Sequence, residues 1–504
     1  MFLPTRLSFN AIVMSTFLLI LSFKSTASSI DQADIYFQQK QYELAIKEYM
    51  ALADVGNARA YYQLGAMYYN GYGIEASSSS ALIWFSLAAE YDFENSADIA
   101  TELLARASSE DRVTLIELIA VFKDKYGKKG VHNKYFPKIK ESLLSEKIVF
   151  GEGQSLDSSY ELTDDLFLEE SDDLIEFEGS DFDDEDTTND DPFANSNKLD
   201  LLINRPYMLV VDYDIEIDGS RRYFEQVQTI GNPKKGLEDL SYNNTLEPTF
   251  KGRKVSFINR SYVGIANYNK FQIREEFNGL YSKVRKYVRQ FVDSENANDQ
   301  YDHAIALINF TWLSQEEGQA EALLKKSANA GFAPAQFELG LLLYREQRDI
   351  KLAIELISNA AQQGVTQAEY RLGKIILDSP WVVNDKKKAL FWLDLAAQKE
   401  HVGAILKATK LKLVAKDKSL LDVSGAIEYL NFLEKKEQQN PEYHYLQALA
   451  HNNMRPRKLS VAVTYIREAI AMGEDRGWDT TPWQNTLKRW TSGGSVTIVE
   501  MADD

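Results

Sequence analysis

The residues best suited to proton transfer or metal binding are five histidines, His132, His303, His401, His444 and His451. Only His444 and His451 are near each other, two helical turns apart on one face. Helical metal ligands pair three or four residues apart beside a matching acid, so these two read as surface or packing residues. The chain has no cysteine, no G-x-S-x-G elbow and no glycine loop ending in Lys-Ser or Lys-Thr. Carboxylates crowd residues 151–200, but a glycosidase pair must be held rigidly at a set separation, and a run of acids offers no such frame. Asp181, Asp183 and Glu185 begin like a calcium loop. Asp186 then stands where that loop needs glycine, and Pro192 where it needs glutamate. No catalytic residue, cofactor site or metal site is expected, and the chain reads as non-enzymatic.

The ordered signal lies instead in small residues that recur at fixed spacing. Gly56, Ala60, Leu64 and Gly65 form a G-x3-A-x3-L-G pattern. It returns at Gly331, Ala335, Leu339, Gly340 and at Gly364, Ala368, Leu372, Gly373, and three copies at one spacing are not chance. A second pattern follows, Ala81-Leu82-Ile83-Trp84 to Ala88-Ala89, matched by Ala389-Leu390-Phe391-Trp392 to Ala396-Ala397. Between the two patterns in the first copy, Gly71 and Gly73 allow the positive φ of a tight turn. The physics is that of a helix hairpin. Small residues let the two backbones approach, Leu64 and Trp84 fill the space between them, and neighbouring hairpins must stack to cover what remains apolar.

These residues resemble the Sel-type repeats, relatives of the tetratricopeptide repeats, over roughly residues 31–105 and 301–475. The carrying elements are Met67-Tyr68-Tyr69-Asn70-Gly71-Tyr72-Gly73-Ile74 and the Ala-Leu-x-Trp second helix. The copy from Gly331 has Glu346-Gln347-Arg348-Asp349 in place of the Gly-x-Gly turn. The resemblance implies helical arrays that bind other proteins, with the named glycines, alanines, leucines and tryptophans as structural signature.

The formal net charge is −19, and residues 151–200 hold nineteen acids against Lys198 alone. The rest of the chain is thus nearly neutral, which excludes the concentrated basic face that a nucleic acid requires. Such an acidic run buries too little apolar surface to offset its ordering entropy, and 149–204 reads as a disordered linker. At the start, Arg6, the apolar run Ala11–Phe23 and Ser25-Thr26-Ala27 read as a signal peptide over 1–27. Together with the absence of cysteine, this places the mature chain in a bacterial periplasm. Membrane contact is expected only if the segment is left uncleaved, as an inner-membrane anchor facing the periplasm.

Ahead of the acidic run, Ser108 opens a helix whose apolar side is Val113, Leu115, Ile116, Ile119 and Phe122. Beyond the run the period changes. Met208–Ile217 alternates as a strand, Asp218-Gly219 marks a hairpin turn and Tyr223–Ile230 returns. Strands are also expected at Lys254–Phe257 and Tyr262–Tyr268. A helical stripe from Phe277 to Phe291 follows, opposite Lys283, Lys286 and Arg289. Leu246-Glu247-Pro248 and Gly252-Arg253-Lys254-Val255 resemble a passage in the C-terminal domain of TonB-type energy transducers. Leu246 stands where that family has an aromatic, and acids replace its proline-rich spacer.

The expected architecture is mainly α. Sel-type or tetratricopeptide-like repeats at 30–148 and 294–490 flank the linker and a small α+β domain at 205–293, with a tail at 491–504. The expected function is a scaffold for other proteins of the cell envelope. One alternative is an accessory of TonB-type transport acting through 205–275. Another is an envelope-polymer hydrolase, which requires a polar cluster in a cleft of the middle domain.

Overall fold

The computed structural model describes residues 29–151 and 206–492. The export segment, residues 152–204 of the acidic linker and the tail beyond Ser492 lie outside them, so the signal peptide and the disorder expected of the linker remain expectations. Among the described residues no helix is long and apolar enough to cross a membrane.

The fold is mainly helical, with repeat hairpins on either side of a small strand-bearing part. The N-terminal helices are α1 (Ser29–Gln38), α2 (Tyr42–Asp54), α3 (Ala58–Asn70), α4 (Ser78–Ala88), α5 (Ser96–Arg106), α6 (Ser109–Tyr126) and α7 (Lys128–Tyr135). Asn57 caps α3 by accepting from the Ala60 amide at 2.8 Å. Gly71 and Gly73 both take positive φ in the turn to α4, as the spacing requires.

Each glycine of the repeat pattern has one physical job. Gly56, Gly331 and Gly364 end the preceding helix in the left-handed region. Gly65, Gly340 and Gly373 lie where two helices touch. A Cβ at Gly65 would stand 3.0 Å from the Phe85 ring, at Gly340 2.9 Å from Ile357, and at Gly373 2.9 Å from Leu393. Ala60, Leu64, Ala88, Ala335, Leu339, Ala368, Leu372 and Ala396 are all buried.

The helix at Ser108 forms with the expected cap, Ser108 accepting from the Asp111 amide at 3.1 Å. Its inner face differs from the expected one. Leu115, Ile119, Phe122 and Tyr126 pack inward, whereas Val113 and Ile116 are 60% and 51% exposed. At 100° per residue only the former set shares a stripe.

The strands form two antiparallel sheets. One runs β3-β2-β6, from β2 (Met208–Ile215), β3 (Arg221–Ile230) and β6 (Phe257–Gly264). The other runs β1-β4-β5, from β1 (Val149–Phe150), β4 (Pro248–Phe250) and β5 (Arg253–Lys254). Val149 and Phe150, placed by the sequence in the linker, are therefore strand residues. The two strands expected at Lys254–Phe257 and Tyr262–Tyr268 are replaced by β6, which crosses the gap between them. Asn259 and Arg260 hid it, because both polar side chains find partners across the sheet, on Tyr213 and Asp212. Two short helices, α8 (Lys234–Tyr242) and α9 (Lys270–Glu276), and the amphipathic α10 (Asn278–Arg289) complete this part, with Leu280, Val284 and Val288 inward.

The C-terminal array begins with α11 (Ala297–Asn309) and α12 (Gln319–Asn329). Four hairpins follow: α13 (Ala333–Arg345) with α14 (Ile350–Gln362), α15 (Thr366–Asp378) with α16 (Lys386–Gln398), α17 (Val402–Val414) with α18 (Val423–Leu433), and α19 (Pro441–Asn453) with α20 (Leu459–Asp475). Helix α21 (Thr481–Thr491) closes the described chain.

The repeats, the sheet and the array share one core, which joins Val55, Val131, Phe136, Phe150, Val211 and Phe257 to the array residues Leu339, Trp381 and Trp392. The residues after α7 form a strap across the ends of the array's hairpins. Trp392 Nε1 donates to the Tyr135 carbonyl at 2.7 Å, Trp381 Nε1 to that of Glu146 at 3.0 Å, and Gln347 Nε2 to that of Ile148 at 2.9 Å.

Candidate functional site

A scaffold's working surface is expected along the row of first helices in its hairpins. In the C-terminal array that row is filled by the chain's own sheet. Every second residue at the end of β2 is acidic, Asp212, Asp214 and then Glu216, and each meets a cation from the array or from β6. Asp212 takes Arg260 Nε at 2.7 Å and Arg345 Nη1 at 3.3 Å. Arg260 also holds Glu338 of α13 at 2.6 Å. Asp214 takes Arg371 Nη1 at 2.6 Å and Lys374 Nζ at 2.8 Å, both from α15, and the Tyr370 hydroxyl at 2.7 Å. Glu216 takes Lys374 at 3.1 Å and Lys407 of α17 at 2.9 Å. The row ends where Tyr223 of β3 donates to Glu442 of α19.

This is the polar cluster that the hydrolase alternative lacked in sequence, and its electrostatics oppose acid–base work. Burial raises the Asp214 carboxyl, but Arg371 and Lys374 overcome it and bring it down to about 2. Asp212 and Glu216 are lowered in the same way, by Arg260 and by Lys374 with Lys407. Carboxylates held this low are acceptors of fixed charge and poor proton shuttles near neutral pH.

Five other acids among the described residues, Asp34, Asp302, Glu369, Asp378 and Glu437, are shifted the opposite way, each by burial first. Burial pushes Glu369 up to about 7 against the pull of Lys399, and burial with Asp299 pushes Asp302 to about 6. The two sets make opposite pH contributions. Carboxylates lowered in the fold stabilise it above their unfolded range near pH 4, and that stability is lost as pH falls toward 2. Glu369 and Asp302 stabilise it while protonated, and that is lost as pH rises from about 4.5 toward 7. The melting temperature is therefore expected to peak near pH 5 and to decline on both sides. Glu369→Gln should flatten the neutral side only, and calorimetry from pH 2 to 8 reads both slopes.

The open surface lies at the junction of the N-terminal repeats with α14. There Gln362 Nε2 donates to the Val55 and Gly56 carbonyls at 2.8 Å each, and Asn57 Nδ2 to the Gln362 carbonyl at 3.1 Å. Beside this clamp runs a groove of about 860 Å³ between α7, the strap and α14. Lys128, Lys138, Lys351 and Lys388 line it against Glu141 and Glu355. Lys388 donates to the Phe136 carbonyl at 2.8 Å, and burial together with Lys138 lowers its pKa. Burial and Lys388 also lower that of His132, so the groove's charge is carried by lysine.

The signature residues are placed as packing, not as ligands. Trp84 and Trp392 are 8% and 0% exposed. Among the histidines, His401 caps α17 and meets Glu225, His444 bonds Glu468, and His451 stacks on Tyr465. Among the described residues no group of three or more His, Cys, Asp or Glu could hold a metal ion.

Residues 58–90, 333–365 and 366–401 match the Sel1 repeat family. The chain carries Sel1 repeats. The matches begin two residues after Gly56, Gly331 and Gly364, so each Sel1 unit opens just past a glycine that ends the previous helix. None of them falls in 205–293. Among solved structures, a protective antigen present in uropathogenic Escherichia coli strains, displaying an SLR fold, is 14% identical. That match covers 91% of this chain and 76% of that one at a TM-score of 0.32. A Sel1 repeat protein from Oxalobacter formigenes is 20% identical over 43% of this chain and 97% of that one, also at 0.32. No curated protein matches the chain.

The groove and the ionic row escaped sequence reading because their residues come from segments far apart in the chain. The one available signal was Asp212-Tyr213-Asp214-Ile215-Glu216. Its alternation marked a strand, and nothing local revealed that the acidic face would be buried.

Proposed function

We propose that this protein is a non-enzymatic scaffold of the bacterial cell envelope that captures acidic segments of partner proteins in the junction groove. Sel1 repeats typically serve protein–protein interaction, and the N-terminal Arg6 and Ala11–Phe23 support export to the periplasm. The observation that carries the reading is the groove itself. Four lysines against two acids line a cleft built from both repeat blocks, while the row of first helices in the C-terminal array is already taken. Although Lys351 pairs with Glu141 at 3.2 Å, the cleft keeps a net positive charge, which raises the local concentration of an acidic partner. The TonB-type reading finds no match within 205–293, and the groove lies outside that domain.

The test is in-cell crosslinking of the full chain, followed by isolation from the periplasmic fraction. Lys128→Glu, Lys138→Glu and Lys351→Glu together are expected to abolish partner capture, and capture by the wild type should weaken as salt rises. The melting temperature should move little, because these side chains are solvated. Undiminished capture by the triple variant rejects the groove. A chain recovered only from the cytoplasm rejects the envelope.

A further inference from the structure

A second cavity lies on the far side of the sheet from β3, and its geometry differs from that of the groove. In the order β3-β2-β6, β6 pairs with β2 on one side and with no strand among the described residues on the other. A cavity of about 340 Å³ touches Phe257, Ile258, Asn259 and Arg260 in succession. Side chains of consecutive strand residues point to opposite faces, so a cavity that meets all four runs along the strand's edge. Its other walls come from α11 with Leu307 and Ile308, from the start of α12, and from α13, which contributes Arg345.

Arg345 sets the chemistry of this cavity. Its side chain is 11% exposed, and its hydrogen bond among the described residues is one long contact, Nη1 to Asp212 at 3.3 Å. Arg260 beside it spends its guanidinium on both oxygens of Asp212 and of Glu338. The acids on the cavity's rim are satisfied too, since Glu321 and Glu346 are both held by Arg348. A buried guanidinium with donors to spare, beside an unpaired strand edge, is the complement of an extended backbone that carries a carboxylate. Burial and the charge of Arg260 depress Arg345 against the pull of Asp212 and Glu338, and the charge of an arriving carboxylate would add to that pull.

We infer that this cavity binds an extended segment of a partner protein, which adds as a strand to the free edge of β6 and places a carboxylate on Arg345. The carboxylate is either the segment's chain end or an acidic side chain, and the recognition chemistry is the same.

The probe is a short fluorescein-labelled peptide of alternating valine and threonine, titrated into the full chain by fluorescence anisotropy. One form has a free terminal carboxylate, a second is amidated with a glutamate at its end, and a third is amidated with glutamine there. A fourth repeats the tighter of the first two with alternate backbone amides N-methylated. At least one carboxylate form is expected to bind wild type, and which of them does so identifies the source. Arg345→Gln should weaken it roughly ten- to hundredfold, the range for a hydrogen bond to a charged group. N-methylation should abolish binding, and the glutamine form should match the weakened level. Arg348→Gln and the groove triple variant should leave affinity unchanged, which separates this site from the groove. If Arg345→Gln melts early, Arg345→Lys keeps the charge beside Asp212 and should still lose affinity, because an ammonium cannot grip a carboxylate with two parallel bonds. Equal binding by wild type and both Arg345 variants, indifference to N-methylation, or no binding by either carboxylate form overturns the inference.

Discussion

Arg260→Met is expected to cost the folded chain about 3–5 kcal/mol, the usual penalty for removing one partner of a buried ion pair. The guanidinium is 4% exposed and makes four hydrogen bonds, two to Asp212 and two to Glu338. Without it Asp212 keeps only the long contact to Arg345, and Glu338 loses both of its hydrogen bonds from Arg260. Both carboxylates then stay buried and charged, or take up protons at a cost. The companion experiment removes the acids as well. Arg260→Met with Asp212→Leu, Glu338→Met and Arg345→Met, which leaves no charge unpaired there, should recover most of the loss, because an apolar replacement of a buried charge cluster is often neutral or better. Urea unfolding monitored by tryptophan fluorescence reads both variants. A single variant as stable as wild type would mean that water reaches the cluster and screens it. A quadruple variant no better than the single would place the cost in packing instead of charge.

The repeat architecture was legible because its cause is local. Gly65 recurs at Gly340 and Gly373 since each hairpin needs the same close contact, and the spacing survives even where the turn between the helices changes. The strand at Met208 and the turn at Asp218-Gly219 were legible for the same reason. Gly219 takes positive φ, and its amide donates to the Glu216 carbonyl at 2.9 Å. What the sequence concealed depends on partners far along the chain. Alternating Asp212, Asp214 and Glu216 look like a half-solvated strand until Arg371 and Lys407, 157 and 191 residues beyond the acids they meet, are seen to hold Asp214 and Glu216. Residues 127–148 read as the end of the first array, yet their hydrogen bonds go to Trp381, Trp392 and Gln347. The middle part was expected as a small α+β domain between the arrays, and its sheet lines the C-terminal one. The surfaces now proposed for binding are those left over once that packing is complete.

The matched tryptophans of the two repeat blocks provide the second large effect, because equal positions in the repeat carry unequal loads. Trp84 lies against Tyr61 with ring centroids 5.8 Å apart and against Tyr126 of α6 at 6.5 Å. Its stability must therefore be measured in a chain that includes α6, not in one cut after α5. Trp84→Ala is expected to cost about 3–5 kcal/mol through the lost ring and the cavity left behind. Trp392 sits in the same register and is fully buried against Phe136 at 5.4 Å. It also donates to the Tyr135 carbonyl at 2.7 Å, which Trp84 has no counterpart for. Trp392→Ala should therefore add to the cavity cost about 1–3 kcal/mol for the carbonyl left without its donor. Trp392→Phe isolates that second part, and Trp84→Phe, which removes only ring area, is the matched control. The decisive readout is where the damage appears. Hydrogen exchange in the Trp392 variants should rise along residues 135–148, which that bond pins to the array, and the groove lined by Lys138 should lose its wall. In the Trp84 variants exchange should rise in α3, α4 and α6 and leave the strap protected. If both alanine variants instead raise exchange evenly over the whole chain, the two repeat blocks unfold as one unit, and the strap is a consequence of their union and not its fastening.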